Sequence, residues 1–138
     1  MPNSRAKGIR GELEVAKMFR RWFPKAERSI LGQTRRGYEF PDIVGGVEEH
    51  FFVEVKRYKK LTLKQLTNHW KKALSDAEEY SIIAHSVAYK GPLPTVMVWR
   101  VDRSDWRVWM DYENELTWQE FSDLMDAEFG IIQEKEVK

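Results

Sequence analysis

The chain has 138 residues, of which 42% are hydrophobic, and a formal net charge of +1. This length predicts a single domain over residues 1–138, with residues 131–138 as a frayed tail. The absence of cysteine excludes a disulfide framework and a thiolate zinc site, and no apolar run is long enough to suggest a membrane span or a signal peptide.

The first predicted element is an amphipathic helix from Arg5 to Phe23. Apolar residues recur there at steps of three and four, and Pro24 follows the last of them. The residues of this stripe are Ile9, Leu13, Ala16, Phe19 and Phe23. Glu12 flanks the stripe, where it could reach a cleft at the helix edge. The alternative is a solvated acid in the first turns, favoured by the helix dipole.

Two strands are predicted next, over residues 42–44 and 50–57. The second is rich in Val and Phe, and two consecutive glycines supply a turn between them. Because strand side chains alternate, Glu54 and Lys56 share one face. If the strands pair as an antiparallel hairpin, Asp42 lies opposite Glu54, with Cβ atoms about 5 Å apart.

This carboxylate pair predicts a site for a divalent cation. Two carboxylates so close repel each other unless a cation lies between them, and oxygen-only ligands favour Mg²⁺ or Mn²⁺ over zinc. Lys56, on the same face as Glu54, could position an attacking water. A metal site with such a lysine is the minimal set of groups for hydrolysing a phosphodiester. A Glu-x-Lys on a solvated sheet face and a Pro-Asp that merely opens a turn are the alternatives.

The remainder of the chain predicts two more helices and two more strands. Thr62 is placed as the N-cap of one helix, and Thr117 with Glu120 forms the capping box of the other. Residues 94–101 and 106–110 are predicted strands. The resulting order, in which strands lie between the first and second helices and between the second and third, fits an α/β domain with a central mixed sheet. The apolar faces of the two helices are assigned to Leu63, Leu66, Trp70 and Leu74, and to Phe121, Leu124, Met125 and Phe129.

Three segments carry a family resemblance. They are residues 7–14 (KGIRGELE), 41–44 (PDIV) and 53–56 (VEVK), and together they resemble the PD-(D/E)xK nuclease superfamily, most of all the archaeal-type Holliday junction resolvases and their phage-borne relatives. The family's Gly followed four residues later by Glu matches Gly8 and Glu12. Its metal-binding Asp and Glu match Asp42 and Glu54, and its catalytic Lys matches Lys56. The combined motif is more specific for the superfamily than for junction resolution.

The resemblance implies a fold and a mechanism. The fold is a restriction-endonuclease-like core, in which helices flank a central mixed sheet. The mechanism is Mg²⁺-dependent DNA hydrolysis, with Mn²⁺ able to substitute, that leaves a 5′-phosphate and a 3′-hydroxyl. Asp42 and Glu54 would bind the metal, helped by the Val55 carbonyl and by Glu12 directly or through water. Lys56 would orient the attacking water and help to deprotonate it.

A fifth site position is left open by the sequence. Members of the family often carry a Gln on the helix that follows the lysine strand. Gln65 is available as a catalytic residue but comes early in the helix. Lys72 occupies a place where phage relatives tend to show Gln.

The net charge hides a strong division between the halves of the chain. Residues 1–72 contain 17 Lys and Arg against 8 Asp and Glu, whereas residues 73–138 contain 6 against 14. A basic half that carries the nuclease motif is typical of a nucleic-acid binder, although charge balance within one globule is the alternative. The residues predicted to touch DNA phosphates are Arg5, Lys7, Arg10, Arg35, Arg36, Arg57, Lys59, Lys60 and Lys72.

Three functions compete at this point. The first is a resolvase of four-way DNA junctions, the second another nuclease on the same fold, and the third a non-catalytic DNA-binding protein. The resemblance implies a homodimer, since resolution needs two symmetric nicks, and we expect it in the cytoplasm of a prokaryote or a phage-infected cell. We assign the dimer interface to the second strand pair and the aromatic C-terminal region. Four aromatic residues there are predicted as core or interface, namely Trp99, Trp106, Trp109 and Trp118.

Overall fold

The computed structural model describes residues 4–30, 38–85, 90–110 and 114–130. Within these ranges the chain forms three helices, α1 (Ser4–Phe19), α2 (Leu63–Ala84) and α3 (Trp118–Phe129), with a 3₁₀ turn over Val47–Glu49. The strands are β1 (Glu27–Arg28), β2 (Ile43–Val44), β3 (Phe52–Tyr58), β4 (Thr95–Val101), β5 (Arg107–Trp109) and β6 (Glu115–Thr117). No helix in the described ranges is long and apolar enough to cross a membrane.

A four-stranded mixed sheet in the order β3-β4-β5-β6 forms the centre of the molecule. Strands β3 and β4 are parallel, with Glu54 beside Met97, and helix α2 supplies the long connection that a parallel pair needs. The other two pairs are antiparallel. Helices cover both faces of the sheet, so the expected α/β domain with a restriction-endonuclease-like arrangement is confirmed.

Helices α1 and α3 pack on one face of the sheet and enclose the larger core. Its fully buried members include Val15, Phe19, Val53, Val96, Val98, Val108 and Phe121. Helix α2 covers the other face, where Leu66 and Trp70 pack on Met97. Of the four C-terminal tryptophans, Trp106 is buried in the larger core, and Trp118 packs against it. Trp109 meets Trp70 edge to face, so these residues serve core packing.

The capping predictions are confirmed at both later helices. The Thr62 side chain accepts from the backbone N–H of Gln65, and the Gln65 side chain accepts from the backbone of Thr62. Thr117 and Glu120 form the same reciprocal pair. Because a capping box is built from residues three apart in sequence, the local pattern alone is enough to locate it.

The predicted buried faces of the helices need correction. Helix α1 ends at Phe19 and not at Phe23, and Leu13 is 52% exposed. Ala16 and Phe19 are buried as predicted, and Gly11 and Val15 complete the buried stripe. The reason is close packing on β3, because a Cβ at Gly11 would lie 2.8 Å from the Cβ of Arg57. The other leucines assigned to apolar faces but left exposed are Leu63, Leu74 and Leu124.

The predicted hairpin between residues 42–44 and 50–57 was wrong. Strand β2 pairs with β1, and the 3₁₀ turn separates β2 from β3. The backbone at Gly45 adopts φ 88°, and a Cβ there would collide with the carbonyl of Lys25. This close approach directs β2 onto β1. Strand β6 was also missed, and the predicted tail 131–138 lies outside the described residues.

Candidate active site

A cleft of about 260 Å³ at the edge of β3 contains four of the predicted catalytic residues. Glu12 comes from α1, Asp42 from the segment that enters β2, and Glu54 and Lys56 from β3. The other lining residues are Arg5, Gly8, Val55, Arg57 and Tyr58. The fold therefore brings three separate segments of the chain together at the residues that the motif singled out.

Asp42 is fixed to β3 by two hydrogen bonds rather than by a strand ladder. Its backbone N–H donates to the Val53 carbonyl at 2.8 Å, and its Oδ2 accepts from the backbone N–H of Val55 at 2.8 Å. The N–H and C=O of one strand residue point to the same edge, so the Val55 carbonyl also faces the edge where Asp42 lies. The side chains of Asp42 and Glu54 thus meet although the predicted hairpin is absent.

Asp42 and Glu54 form a pair of carboxyl groups that resists full ionisation. Burial of Asp42, which is 3% exposed, together with the charges of Glu54 and Glu12, raises the pKa of Asp42 well above its usual 3.8. The hydrogen bond between the carboxyl groups of Asp42 and Glu54 also raises this pKa, because it needs a proton on one partner. A divalent cation could replace that proton, and the all-oxygen donor set fits Mg²⁺ or Mn²⁺.

Glu12 is engaged by an arginine of β1. Among the described residues, no three His, Asp or Glu side chains are already grouped as a metal cage. Instead, Arg28 Nε donates to Glu12 Oε1 at 3.1 Å. Burial raises the pKa of Glu12, and Arg28 opposes this effect. Glu12 therefore fits contact with a cation through a water better than direct contact.

Lys56 stands beside the carboxylate pair. Its Nζ lies 4.0 Å from Glu54 Oε1, and its side chain is 21% exposed. His69 from α2 is close enough to sense this charge, because burial first and then Lys56 and Lys72 lower the pKa of His69. The His69 ring stacks on Tyr58 at 5.6 Å between centroids. Lys56 thus lines the cleft beside Glu54, and its charge helps to keep the pKa of His69 low.

Neither candidate for the fifth site position lines the cleft. Gln65 lies in the first turn of α2, where its side chain is engaged with the backbone of Thr62, and it does not line the cleft. Lys72 lies farther along α2 and pairs with Asp76 at 2.7 Å and Glu39 at 3.7 Å. The hydrogen bond to Asp76 is the largest of the causes that raise the Lys72 pKa, and the charge of Glu54 is the last of them. Which residue fills the fifth position therefore stays a prediction.

Two of the predicted phosphate-binding residues are held in an internal ion-pair cluster. Lys7 Nζ and Arg57 Nη1 contact Asp102 at 3.0 and 2.7 Å, and each of these two basic side chains is only 14% exposed. Phosphate contact by Lys7 or Arg57 would require Asp102 to release them. Among the other predicted contacts, Arg5, Arg10, Lys59, Lys60 and Lys72 are exposed, and Arg35 and Arg36 lie outside the described residues.

Sequence reasoning missed Arg28, His69 and Tyr58 as neighbours of the site. Tyr58 could have been found, because it continues the alternation of Glu54 and Lys56 along β3. Arg28 lies 16 positions from Glu12, and His69 reaches the site only through the packing of α2 on the sheet. No local pattern reports such contacts.

Comparisons with known proteins agree with the motif and the fold. The model of a family described as "Phage putative PDDEXK endonuclease" matches residues 3–138 of the chain. Searches of curated proteins and of solved structures gave no match. The family match spans nearly the whole chain and includes every residue of the cleft.

Proposed function

Because the chain belongs to this family of phage PDDEXK endonucleases, we propose that it is a Mg²⁺-dependent DNA endonuclease that resolves four-way junctions by paired symmetric nicks. The observation that carries the proposal is the buried carboxyl pair of Asp42 and Glu54 with Lys56 beside it in an open cleft. The basic half of the chain supports DNA as the substrate. We place the activity in the cytoplasm of a phage-infected or prokaryotic cell.

We assign metal binding to the oxygen-bearing groups that line the cleft. Asp42 and Glu54 would hold the metal, with the Val55 carbonyl as a further oxygen ligand and Glu12 acting through water. A bound Mg²⁺ would neutralise charge on the phosphate oxygens and make a bound water more acidic. Mn²⁺, which takes the same oxygen ligands, is expected to substitute.

We assign to Lys56 the role of orienting the attacking water. An ammonium 4.0 Å from the Glu54 carboxylate can donate to a water lying between Glu54 and the phosphorus and so fix its direction of attack. Its positive charge also favours the negative charge that develops on the phosphate. Water attack in line with the departing 3′ oxygen leaves a 5′-phosphate and a 3′-hydroxyl.

The resolvase assignment also requires two active sites. A four-way junction has two-fold symmetry, so paired nicks require two copies of the cleft related by the same symmetry. We therefore propose a homodimer, for which sedimentation velocity at micromolar concentration is the direct measurement. A monomer that still cuts DNA would favour a nicking, repair or restriction-type nuclease on the same fold.

The decisive experiment compares an end-labelled synthetic four-way junction with a linear duplex of the same sequence, both with Mg²⁺. Paired symmetric nicks in the junction, with the duplex spared, would support the resolvase. Equal cutting of both substrates would support another endonuclease. Binding without cutting in Mg²⁺ or Mn²⁺ would support a non-catalytic DNA-binding protein. A Lys56→Ala sample prepared in parallel controls for contaminating nucleases.

A further inference from the structure

The turn between β4 and β5 contains a strained arginine. Arg103 has φ 64°, and it is the one non-glycine residue with positive φ among the described residues. This region is unfavourable for side chains with a Cβ, and glycine or asparagine usually occupies it. Because Arg103 is exposed, packing of its side chain does not explain why an arginine occupies this position. Strained residues of this kind cluster at binding sites.

Arg103 lines a second cleft, which we call the Arg103 cleft. Its volume is about 800 Å³, against about 260 Å³ for the catalytic cleft. Four of its lining residues are basic and two are acidic, namely Lys59, Lys60, Arg103 and Arg107 against Asp105 and Glu115. One of these acids is already engaged, because Glu115 Oε1 accepts from the indole N–H of Trp109 at 3.0 Å. A groove of this size with excess positive charge suits a polyanion rather than a small neutral ligand.

The Arg103 cleft adjoins the catalytic cleft along the chain. Residues 56–58 line the catalytic cleft and residues 59–61 line the other. At about 3.3 Å per extended residue, the four steps from Lys56 to Lys60 span at most roughly 13 Å, and β3 ends between them at Tyr58. Asp102, the residue before Arg103, is neutralised by Lys7 and Arg57. The path between the two clefts therefore carries no unbalanced negative charge that would repel a nucleic-acid backbone.

We propose that the Arg103 cleft binds the DNA backbone on one side of the scissile phosphate. This inference rests on the proposed nuclease function and adds the position of a second contact. A separation of at most roughly 13 Å corresponds to at most about four nucleotides at 3.4 Å of duplex axis per nucleotide. Arg103 and Lys60 would neutralise phosphates there without reading bases, so the contact senses the presence and direction of a DNA arm.

The first test is Arg103→Gly, which removes the charge and the backbone strain together. Binding of a fluorescent DNA to the whole protein is measured by anisotropy in EDTA over a range of salt concentrations. We expect the dissociation constant near 0.1 M salt to rise about tenfold and the log–log salt slope to fall by about one, the value for one lost phosphate contact. Thermal unfolding should show no loss of stability, because glycine adopts positive φ readily.

Lys90→Gly is the matched control. Lys90 is exposed and precedes β4, whereas Arg103 follows it, so the two charges lie at opposite ends of the strand. Both substitutions delete one positive charge and introduce one glycine. Unchanged binding by Arg103→Gly, or equal weakening by Lys90→Gly, would overturn the proposal. Weakening confined to Arg103→Gly supports it.

The second test locates the contact relative to the nick. Substrates are shortened stepwise on one side or the other of the cleavage position, and wild-type and Arg103→Gly rates are compared at subsaturating enzyme. The Arg103→Gly defect should disappear in one series, once fewer than about four nucleotides remain on that side. A defect that persists in both series overturns the assigned position. Failure of the wild type to cut any DNA would refute the proposed nuclease function, whereas the anisotropy test would still decide whether the cleft binds DNA.

Discussion

Replacing Asp42 by asparagine should abolish cleavage and yet stabilise the metal-free protein at neutral pH. Asp42 is 3% exposed, and burial and Glu54 raise the pKa of its carboxyl group well above the usual value. Asparagine keeps an oxygen that can accept from the Val55 N–H, which now bonds to Asp42 at 2.8 Å. Its amide can also donate to Glu54. The substitution therefore removes the charge while preserving the local hydrogen bonds.

The size of the effect follows from the linkage between ionisation and folding. Because the pKa of Asp42 is higher in the folded than in the unfolded state, the wild type has its full stability below about pH 4 and loses stability as the pH rises through the folded pKa. One pH unit between the two pKa values corresponds to about 1.4 kcal/mol. We expect Asp42→Asn to raise the free energy of unfolding at pH 7 by at least about 1 kcal/mol, or the Tm by roughly 3 °C. Cleavage should fall at least about a hundredfold.

The assay is thermal unfolding in EDTA between pH 4 and pH 8, repeated with Mg²⁺. The cation should raise the Tm of the wild type more than that of Asp42→Asn, because binding to the folded state stabilises it. Asp126→Asn is the opposite control, since Arg21 and Trp22 lower the pKa of Asp126 to about 2. That variant should melt below the wild type throughout the range from pH 4 to pH 8, because a carboxyl group of lowered pKa loses its contribution to stability only at lower pH.

Either of two results would refute this reasoning. One is an Asp42→Asn variant that melts below the wild type at pH 7 in EDTA. The other is a gain of equal size at pH 4 and pH 8, which would mean that the effect does not come from ionisation of the carboxyl pair.

Three further predictions concern the lysine, the glycines of α1 and the partner of Glu12. Lys56→Ala should reduce cleavage at least about a hundredfold and leave DNA binding largely intact; near wild-type cleavage by the purified variant would rule out the assigned role. Gly11→Ala should destabilise the protein by about 1–3 kcal/mol in urea unfolding, because its Cβ would lie 2.8 Å from Arg57 Cβ. Gly8→Ala, with nothing within 4 Å, should stabilise the helix by about 0.5–1 kcal/mol, and equal effects at the two positions would contradict the packing argument. Arg28→Ala should raise the Glu12 pKa further, because Arg28 now opposes the effect of burial. The acid limb of the kcat/KM profile, where activity is lost as the pH falls, should then shift to higher pH than in the wild type. The shift should be smaller in Arg28→Lys. An acid limb at the wild-type position would show that Glu12 ionisation is not required.

The sequence predicted the elements and the site residues wherever the signal was local. The N-cap at Thr62 and the capping box at Thr117 depend on residues no more than three apart, so they were placed correctly. The alternation along β3 put Glu54 and Lys56 on one face, and the motif placed Asp42 and Glu12 with them, as the cleft shows. The predicted strand pairing was wrong, but the predicted approach of Asp42 to Glu54 was right. Asp42 reaches β3 through hydrogen bonds of its own N–H and carboxylate.

The sequence by itself thus determined the fold class, the order of the three helices and the convergence of the carboxylates with Lys56. Only the tertiary structure decided which basic side chains are paired with acidic residues from distant parts of the chain. Lys7 and Asp102 are 95 positions apart in sequence, and Gly11 faces the sheet because Arg57 lies against it. Periodicity and capping report interactions within a few residues, whereas ion pairing and close packing depend on how distant segments are folded together.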